Sequence, residues 1–279
     1  EAMVDALGAF LGQYQSHPGV ASARAWLDAN TELRQSVAGR LTEPLPGRPP
    51  SFCIGCPERP VFSALKLAQQ EVGPVHIAAD IGCHAFGTFE PFSSGHSILG
   101  YGMSLASRAG VSPMMSRRVL SIMGDGGFWH NGLLTGVQSA LFNQDDAVLL
   151  IFKNGYTSAT GTQEIISTPD EDARANAPDK QQSLAHKNQT IEQTLRGMGV
   201  GWMRTVHTYR VDQMRRTLTE AFTTKYSGLK VIIAEGECQL ERQRRLKPWI
   251  AGLLKAGKRA VRVKYGVDED VCTGDHACI

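Results

Sequence analysis

No apolar run in these 279 residues approaches the roughly 18 residues of a membrane span. The buried-looking runs, such as "AVLLIF" and "KVIIA", have the length of a strand. Neither sign of charge is in excess. Lys and Arg number 29 against 27 Asp and Glu, and the net charge of +2 gives no general pull toward nucleic acid or a membrane. No secretory leader and no internal repeat are visible. Cysteine is sparse, at six residues. In a chain without export signals, for which a cytoplasmic location is expected, these read as metal or redox ligands before disulfides. An initiator Met is missing as well. The chain opens "EAMV" and stops at "CTGDHACI", just after Cys272 and Cys278. The expectation is a piece of a longer polypeptide, with those two thiols either free or opening a further module.

What is present is enough to bury a core: 42% hydrophobic residues, with 29 glycines for tight turns and close backbone approaches. Residues 3–38 carry helical periodicity, and "TEPLPGRPP" (42–50) is a Pro-rich connector. After it, strand and helix patterns alternate. "PVFSALKLAQQ" reads as a helix, "VHIAAD" (75–80) as a strand and "SILGYGMSLASRA" as a helix. "RVLSIMG" is a strand, "FWHNGLLTGVQSALF" a helix and "AVLLIFKN" a strand. A polar segment, 157–187, follows, and such a loop in a compact domain is more often functional than idle. Helix "TIEQTLRGMG", strand "WMRTVHT", helix "VDQMRRTLTEAFTTKY" and strand "KVIIAEG" complete the pattern. The fold class expected is α/β, a doubly wound, mostly parallel sheet covered on both faces, with ligands at the carboxyl ends of its strands. Three regions are expected: a helical lead-in (1–45), a main domain (46–245) and a basic extension (246–279).

Asp125 ends one strand and Asn154 the next. That is one βαβ crossover, whose right-handedness puts both carboxyl ends on the same edge. A carboxylate, an amide oxygen and nearby carbonyls make a hard oxygen site suited to Mg²⁺, which usually keeps substrate phosphates as co-ligands. Gly124, Gly126 and Gly127 flank the Asp and open the following helix, where N–H groups and the helix terminus favour a diphosphate. The plainer alternative is a Gly-rich turn with an Asp N-cap.

The cysteines follow the same logic. Cys53-x-x-Cys56 lies in a turn after the connector, and Cys83 and Cys238 each follow a strand directly. Four thiolates near one edge can hold Zn²⁺ or a [4Fe–4S] cluster. A redox pair would need only Cys53 and Cys56, and the other two read equally as buried thiols.

"GDGGFWHNG", "NGYTSATGTQ", "FCIGCPERP" and "ADIGCHAFG", across residues 50–240, resemble four segments of the 2-oxoacid:ferredoxin oxidoreductases, nearest to the indolepyruvate ferredoxin oxidoreductase members. The resemblance implies a thiamine diphosphate-binding fold. It implies Mg²⁺ on Asp125, Asn154 and the Tyr156 carbonyl, and a [4Fe–4S] cluster on Cys53, Cys56, Cys83 and Cys238. Cofactor contacts would come from Gly82, Cys83, His84, Gly95, His96, Gly124, Asp125, Gly126, Gly127, Asn154, Tyr156 and Thr160. His84 and His130 are the catalytic candidates, for diphosphate contact or substrate positioning. The implied reaction is oxidative decarboxylation of a 2-oxo acid, an arylpyruvate by the nearest members, with coenzyme A taking the acyl group and ferredoxin the electrons. Thr160-Gly161-Thr162-Gln163 departs from the family's usual Gly-Gly-Gln. The Glu that such sites need on the aminopyrimidine side has no counterpart in this reading, so a partner domain or subunit is expected to supply it, in a homo- or hetero-oligomer. Alternatives are a non-oxidative thiamin-dependent decarboxylase or carboligase, and a non-catalytic scaffold with a structural zinc on four cysteines.

Overall fold

The structure is a computed structural model that describes residues 6, 8–10, 12–13, 18–40, 50–169, 189–261, 268 and 270. Residues 170–187 of the polar segment, and Cys272 and Cys278, lie outside the described residues. The chain divides into two compact units, Glu1–Pro49 and Pro50–Ile279. In the first, helix α1 spans Pro18–Ala38.

The second unit is built on six strands, all parallel. They are β1 (Ile77–Ala79), β2 (Ser97–Ile98), β3 (Leu120–Gly124), β4 (Val148–Lys153), β7 (Trp202–His207) and β8 (Lys230–Glu235), in the order β2-β1-β3-β4-β8-β7. A short antiparallel ribbon, β5 (Tyr156–Thr157) with β6 (Gln163–Glu164), stands apart. The central strands are apolar on both faces, as a doubly covered parallel sheet requires. Along β4, Val148, Leu150 and Phe152 enter one core, beside Val61, Phe62 and Leu65 of α2 (Arg59–Val72) and Met214 and Leu218 of α6 (Val211–Thr223). Leu149 and Ile151 enter the other, with Leu105 of α3 (Ser104–Val111) and Ile191 and Leu195 of α5 (Ile191–Gly197). The strand period of two assigns each residue to its layer. Helix α7 (Gln239–Lys255) follows β8 and runs across the expected 245/246 boundary.

Helix α4 crosses from β3 to β4. It opens as Asp125–Gly127, is wound as a π-helix over Phe128–Gln138 and closes as Ser139–Phe142. Wide turns of this kind cluster at functional sites. Small residues seat it closely: a Cβ on Gly132 would come 2.6 Å from Met123 Sδ.

One expectation is corrected. "SILGYGMSLASRA" is not a single helix. Ser97–Ile98 joins the sheet beside β1, and the helix begins only at Ser104. Gly102 breaks the run. It has φ +74°, and its N–H donates to Asp80 Oδ2 at 2.7 Å. A Cβ there would sit 2.4 Å from the Gly127 carbonyl, so the chain must turn before it can coil.

Candidate active site

The parallel register sets the site. Gly124 pairs with Phe152, so Asp125 leaves β3 as Lys153 and Asn154 leave β4. Asp125 is buried, and its carboxylate is gripped by backbone donors. Gly126 N–H donates to Oδ1 at 2.9 Å, while Asn154 and Gly155 N–H donate to Oδ2 at 2.8 and 2.6 Å. Gly155 has φ +88°, which turns its N–H inward at no steric cost. Two donors fill the lone pairs of Oδ2, so Oδ1 keeps capacity for one more partner.

Asn154 is held from both ends. Its Oδ1 accepts from Tyr156 N–H at 3.1 Å and Ser158 Oγ at 2.9 Å, and its Nδ2 donates to Glu58 Oε1 at 3.4 Å. Glu58 is buried. It sits at the N-cap position of α2 without capping the helix through its side chain, and among the described residues its Oε2 has no hydrogen-bond partner. Behind it, His84 Nε2 pairs with buried Asp80, and the ring stacks on Phe152 with centroids 5.9 Å apart.

Burial lifts Asp125 from an ordinary 3.8 to about 7 against the pull of its three N–H donors. Burial, then the charge of Asp125, lifts Glu58 from 4.5 to about 7, with His84 opposing. Burial works against a charged His84, yet the hydrogen bond and charge of Asp80, with the charge of Glu58, hold its imidazole above the ordinary range. The consequence for the metal-free protein has a definite sign. Both carboxyls keep protons in the fold that they would lose unfolded, so their contribution is full at low pH and drains away from about pH 4 to about pH 7. Urea unfolding across that window should give a smaller fall in stability with rising pH for Asp125→Asn than for the wild type. Parallel curves would remove Asp125 from the titration.

These residues wall a cavity of about 250 Å³. Of the sequence candidates it holds Gly82, Cys83, His84, Gly124, Asp125, Gly126, Gly127, Asn154, Tyr156 and Thr160. Glycines form its floor because nothing else fits. A Cβ on Gly126 would lie 2.3 Å from Tyr101 Oη, and one on Gly127 2.2 Å from Asp80 Oδ2. Asp80 cannot yield, being held by His84 and by Gly102 N–H. Gly127→Ala should therefore cost about 1–3 kcal/mol in urea unfolding, as overpacking does. An unchanged midpoint would mean the contact relaxes freely.

Three candidates are not brought in. His96 does not open a helix. It precedes β2 at the amino end of β1, where its Nδ1 accepts from Ile77 N–H at 2.9 Å and its ring lies on His76. Gly95 lies outside with it, its φ of +128° serving the turn before β2. His130 is exposed and packs on Tyr101, 5.1 Å between centroids, without lining the cavity. Residues missed are Glu58, Ile81, Tyr101, Thr157 and Ser158, with Asp80 behind them. Tyr101 Oη bonds Thr157 Oγ1 at 3.1 Å and closes one wall. "VHIAAD" had placed Asp80 at a strand end, the one signal available for it.

A second cavity, of about 150 Å³, adjoins the first. Cys53, Cys56, Cys83 and Cys238 all line it, and Glu58, Cys83, Asn154, Ser158 and Ala159 line both. Burial, then the charge of Glu58, drives the Cys56 thiol far up and lifts Cys83 to about 12. Among the described residues no three His, Cys, Asp or Glu side chains converge as a single metal ion requires. A tetrahedral zinc needs its thiolates about 3.8 Å apart, from bonds of about 2.3 Å.

Residues 80–234 match the family described as thiamine pyrophosphate enzyme, C-terminal TPP binding domain. Indolepyruvate oxidoreductase subunit IorA of Methanothermobacter thermautotrophicus is 28% identical over 222 residues, covering 75% of this chain and 34% of the relative. The IorA of Archaeoglobus fulgidus is 29% identical over 240 residues, covering 86% of this chain and 35% of the relative. The chain thus spans about a third of the length of the curated relatives it matches. Among solved structures, the 2-oxoglutarate:ferredoxin oxidoreductase from Magnetococcus marinus, with 2-oxoglutarate, coenzyme A and succinyl-CoA bound, superposes with TM-score 0.52 and 14% identity over 69% of this chain and 66% of that one. That likeness is one of fold.

Proposed function

This chain belongs to the thiamine pyrophosphate enzymes, as their C-terminal cofactor-binding domain, and from that premise we propose that it forms the diphosphate half of a 2-oxo-acid:ferredoxin oxidoreductase site. The observation that carries the reading is the adjacency of two cavities. One is floored by glycines around Asp125 and Asn154, the other is lined by four cysteines, and they share a wall.

The donor set of the first cavity fits Mg²⁺ and a diphosphate. Asp125 Oδ1, the Tyr156 carbonyl and, once the Ser158 hydroxyl turns away from it, the Asn154 amide oxygen would hold the cation, and the first turn of α4 presents backbone N–H groups beside bare glycines. Cys53, Cys56, Cys83 and Cys238 would hold a [4Fe–4S] cluster. When bound, thiamine diphosphate supplies the electron sink for decarboxylation and the cluster a one-electron store. The chain's own part is positioning. Asp80 fixes the His84 ring against Phe152, and His84 and Glu58 both line the cavity wall. The Tyr101–Thr157 bond closes one side.

The name of the IorA relatives favours indolepyruvate, an arylpyruvate, as substrate. Coenzyme A as acyl acceptor and ferredoxin as electron acceptor complete the proposed reaction. Glu58 bonds Asn154 and so belongs with the diphosphate-side residues. The aminopyrimidine-side Glu is therefore still assigned to a partner domain or subunit. A cytoplasmic site is the matching compartment, and no described helix is long and apolar enough to cross a membrane.

An inventory of protein purified without oxygen tests the whole reading. It should contain iron and acid-labile sulfide close to four per chain and bind thiamine diphosphate only with Mg²⁺. Cofactor binding without iron would favour the non-oxidative decarboxylase instead. Zinc without cofactor binding would favour the scaffold.

A further inference from the structure

Glu58 is an expensive residue to leave where it is. The residue is 3% exposed, and among the described residues its carboxyl has one hydrogen bond, the 3.4 Å contact from Asn154 Nδ2, with no partner for Oε2. A buried carboxyl with so little compensation costs stability unless a positive group meets it. The side chain does not cap α2, and the His84 imidazole, which acts on it, is already paired with Asp80. Asn154 ties it to the site in a specific way. The backbone N–H of that residue donates to Asp125 Oδ2 and its amide to Glu58 Oε1, so one residue is bracketed by two buried carboxyls. Both acids line the same cavity.

We propose that Glu58 is a further carboxylate of the divalent-cation site, so that the cation faces two protein carboxylates, Asp125 and Glu58. The inference rests on the cation reading of Asp125 and Asn154. It agrees with the ordinary habit of Mg²⁺, which takes one or two carboxylates beside phosphate oxygens. It also accounts for a charge that the metal-free fold has no use for.

The test is Mn²⁺ binding, read by electron paramagnetic resonance, with thiamine diphosphate present, in protein prepared without oxygen. Glu58→Gln keeps the shape and can still accept from Asn154, so it removes the charge alone. It should weaken Mn²⁺ binding by at least the roughly ten- to hundredfold that losing even a supporting partner of a metal site costs. The thermal midpoint of the metal-free variant should stay level or rise. Asp125→Ala, in parallel, should lose Mn²⁺ altogether. If Asp125→Ala loses Mn²⁺ and Glu58→Gln binds it as the wild type does, Glu58 is not part of the site. A Glu58→Gln variant that loses iron but keeps its Mn²⁺ affinity would assign the residue to the cysteines and overturn the proposal equally. Undiminished binding in Asp125→Ala would instead bring down the cation reading itself.

Discussion

Asp125→Ala should abolish thiamine diphosphate binding and leave a folded protein. The proposed Mg²⁺ joins the protein to the diphosphate, and Oδ1 of Asp125 is the oxygen with room to take it. Without that carboxylate the anion rests on N–H groups and a helix terminus alone. Loss of a direct ligand should exceed the roughly ten- to hundredfold cost of losing a supporting one. The substitution also strands the N–H groups of Gly126, Asn154 and Gly155, and each orphaned buried donor costs about 1–3 kcal/mol, partly offset because a costly buried carboxyl disappears. Asp125 belongs to neither apolar core, so the sheet survives. Calorimetric titration with Mg²⁺ present, alongside thermal denaturation, reads both effects. Cofactor affinity unchanged from wild type would dismiss Asp125 from the site.

Cys238→Ser should divide the reaction. Cys238 is 6% exposed at the N-cap of α7, directly beyond β8, and faces the cavity that Cys53, Cys56 and Cys83 also line. A serine hydroxyl is a poor substitute for a soft thiolate, so iron content should fall and ferredoxin reduction should stop. The glycine-floored cavity is untouched by the change, so some non-oxidative decarboxylation of the 2-oxo acid should persist. Iron, sulfide and CO₂ release measured on one preparation separate these outcomes. Full iron content with normal ferredoxin reduction would release Cys238 from the cluster, and zinc at the wild-type cysteines would end the oxidoreductase reading.

The Asp125–Asn154 meeting was legible because it depends on strand ends and crossover hand, which the apolar runs "RVLSIMG" and "AVLLIFKN" declare. The gathering of four cysteines at one cavity was legible for the same reason, since Cys83 and Cys238 each follow a strand. Glu58 was not. An acid at a helix entry reads as a complement to the helix dipole, and only the packing of α2 against the sheet turns it inward. His96 misled because "SILGYGMSLASRA", directly after it, reads as one helix, whereas the pairing of Ser97 with Ala78 makes the start of that run a strand. Tyr101 sat inside what read as a helix. Gly102, bound to Asp80, breaks that run, and the Tyr101 hydroxyl meets Thr157 instead. In each case a long-range partner overruled a local pattern, and local patterns carry no record of such partners.

The wall common to the two cavities has a consequence for how this site can change over generations. Glu58, Cys83, Asn154, Ser158 and Ala159 face both sides at once, so a substitution at any of them is felt in both. Neighbours of this kind do not act additively. The two cavities are therefore tied together at that wall. Of the four cysteines only Cys83 stands in it, so a change there is felt on both sides, whereas a change at Cys53, Cys56 or Cys238 meets the second cavity and one at Tyr101 the first.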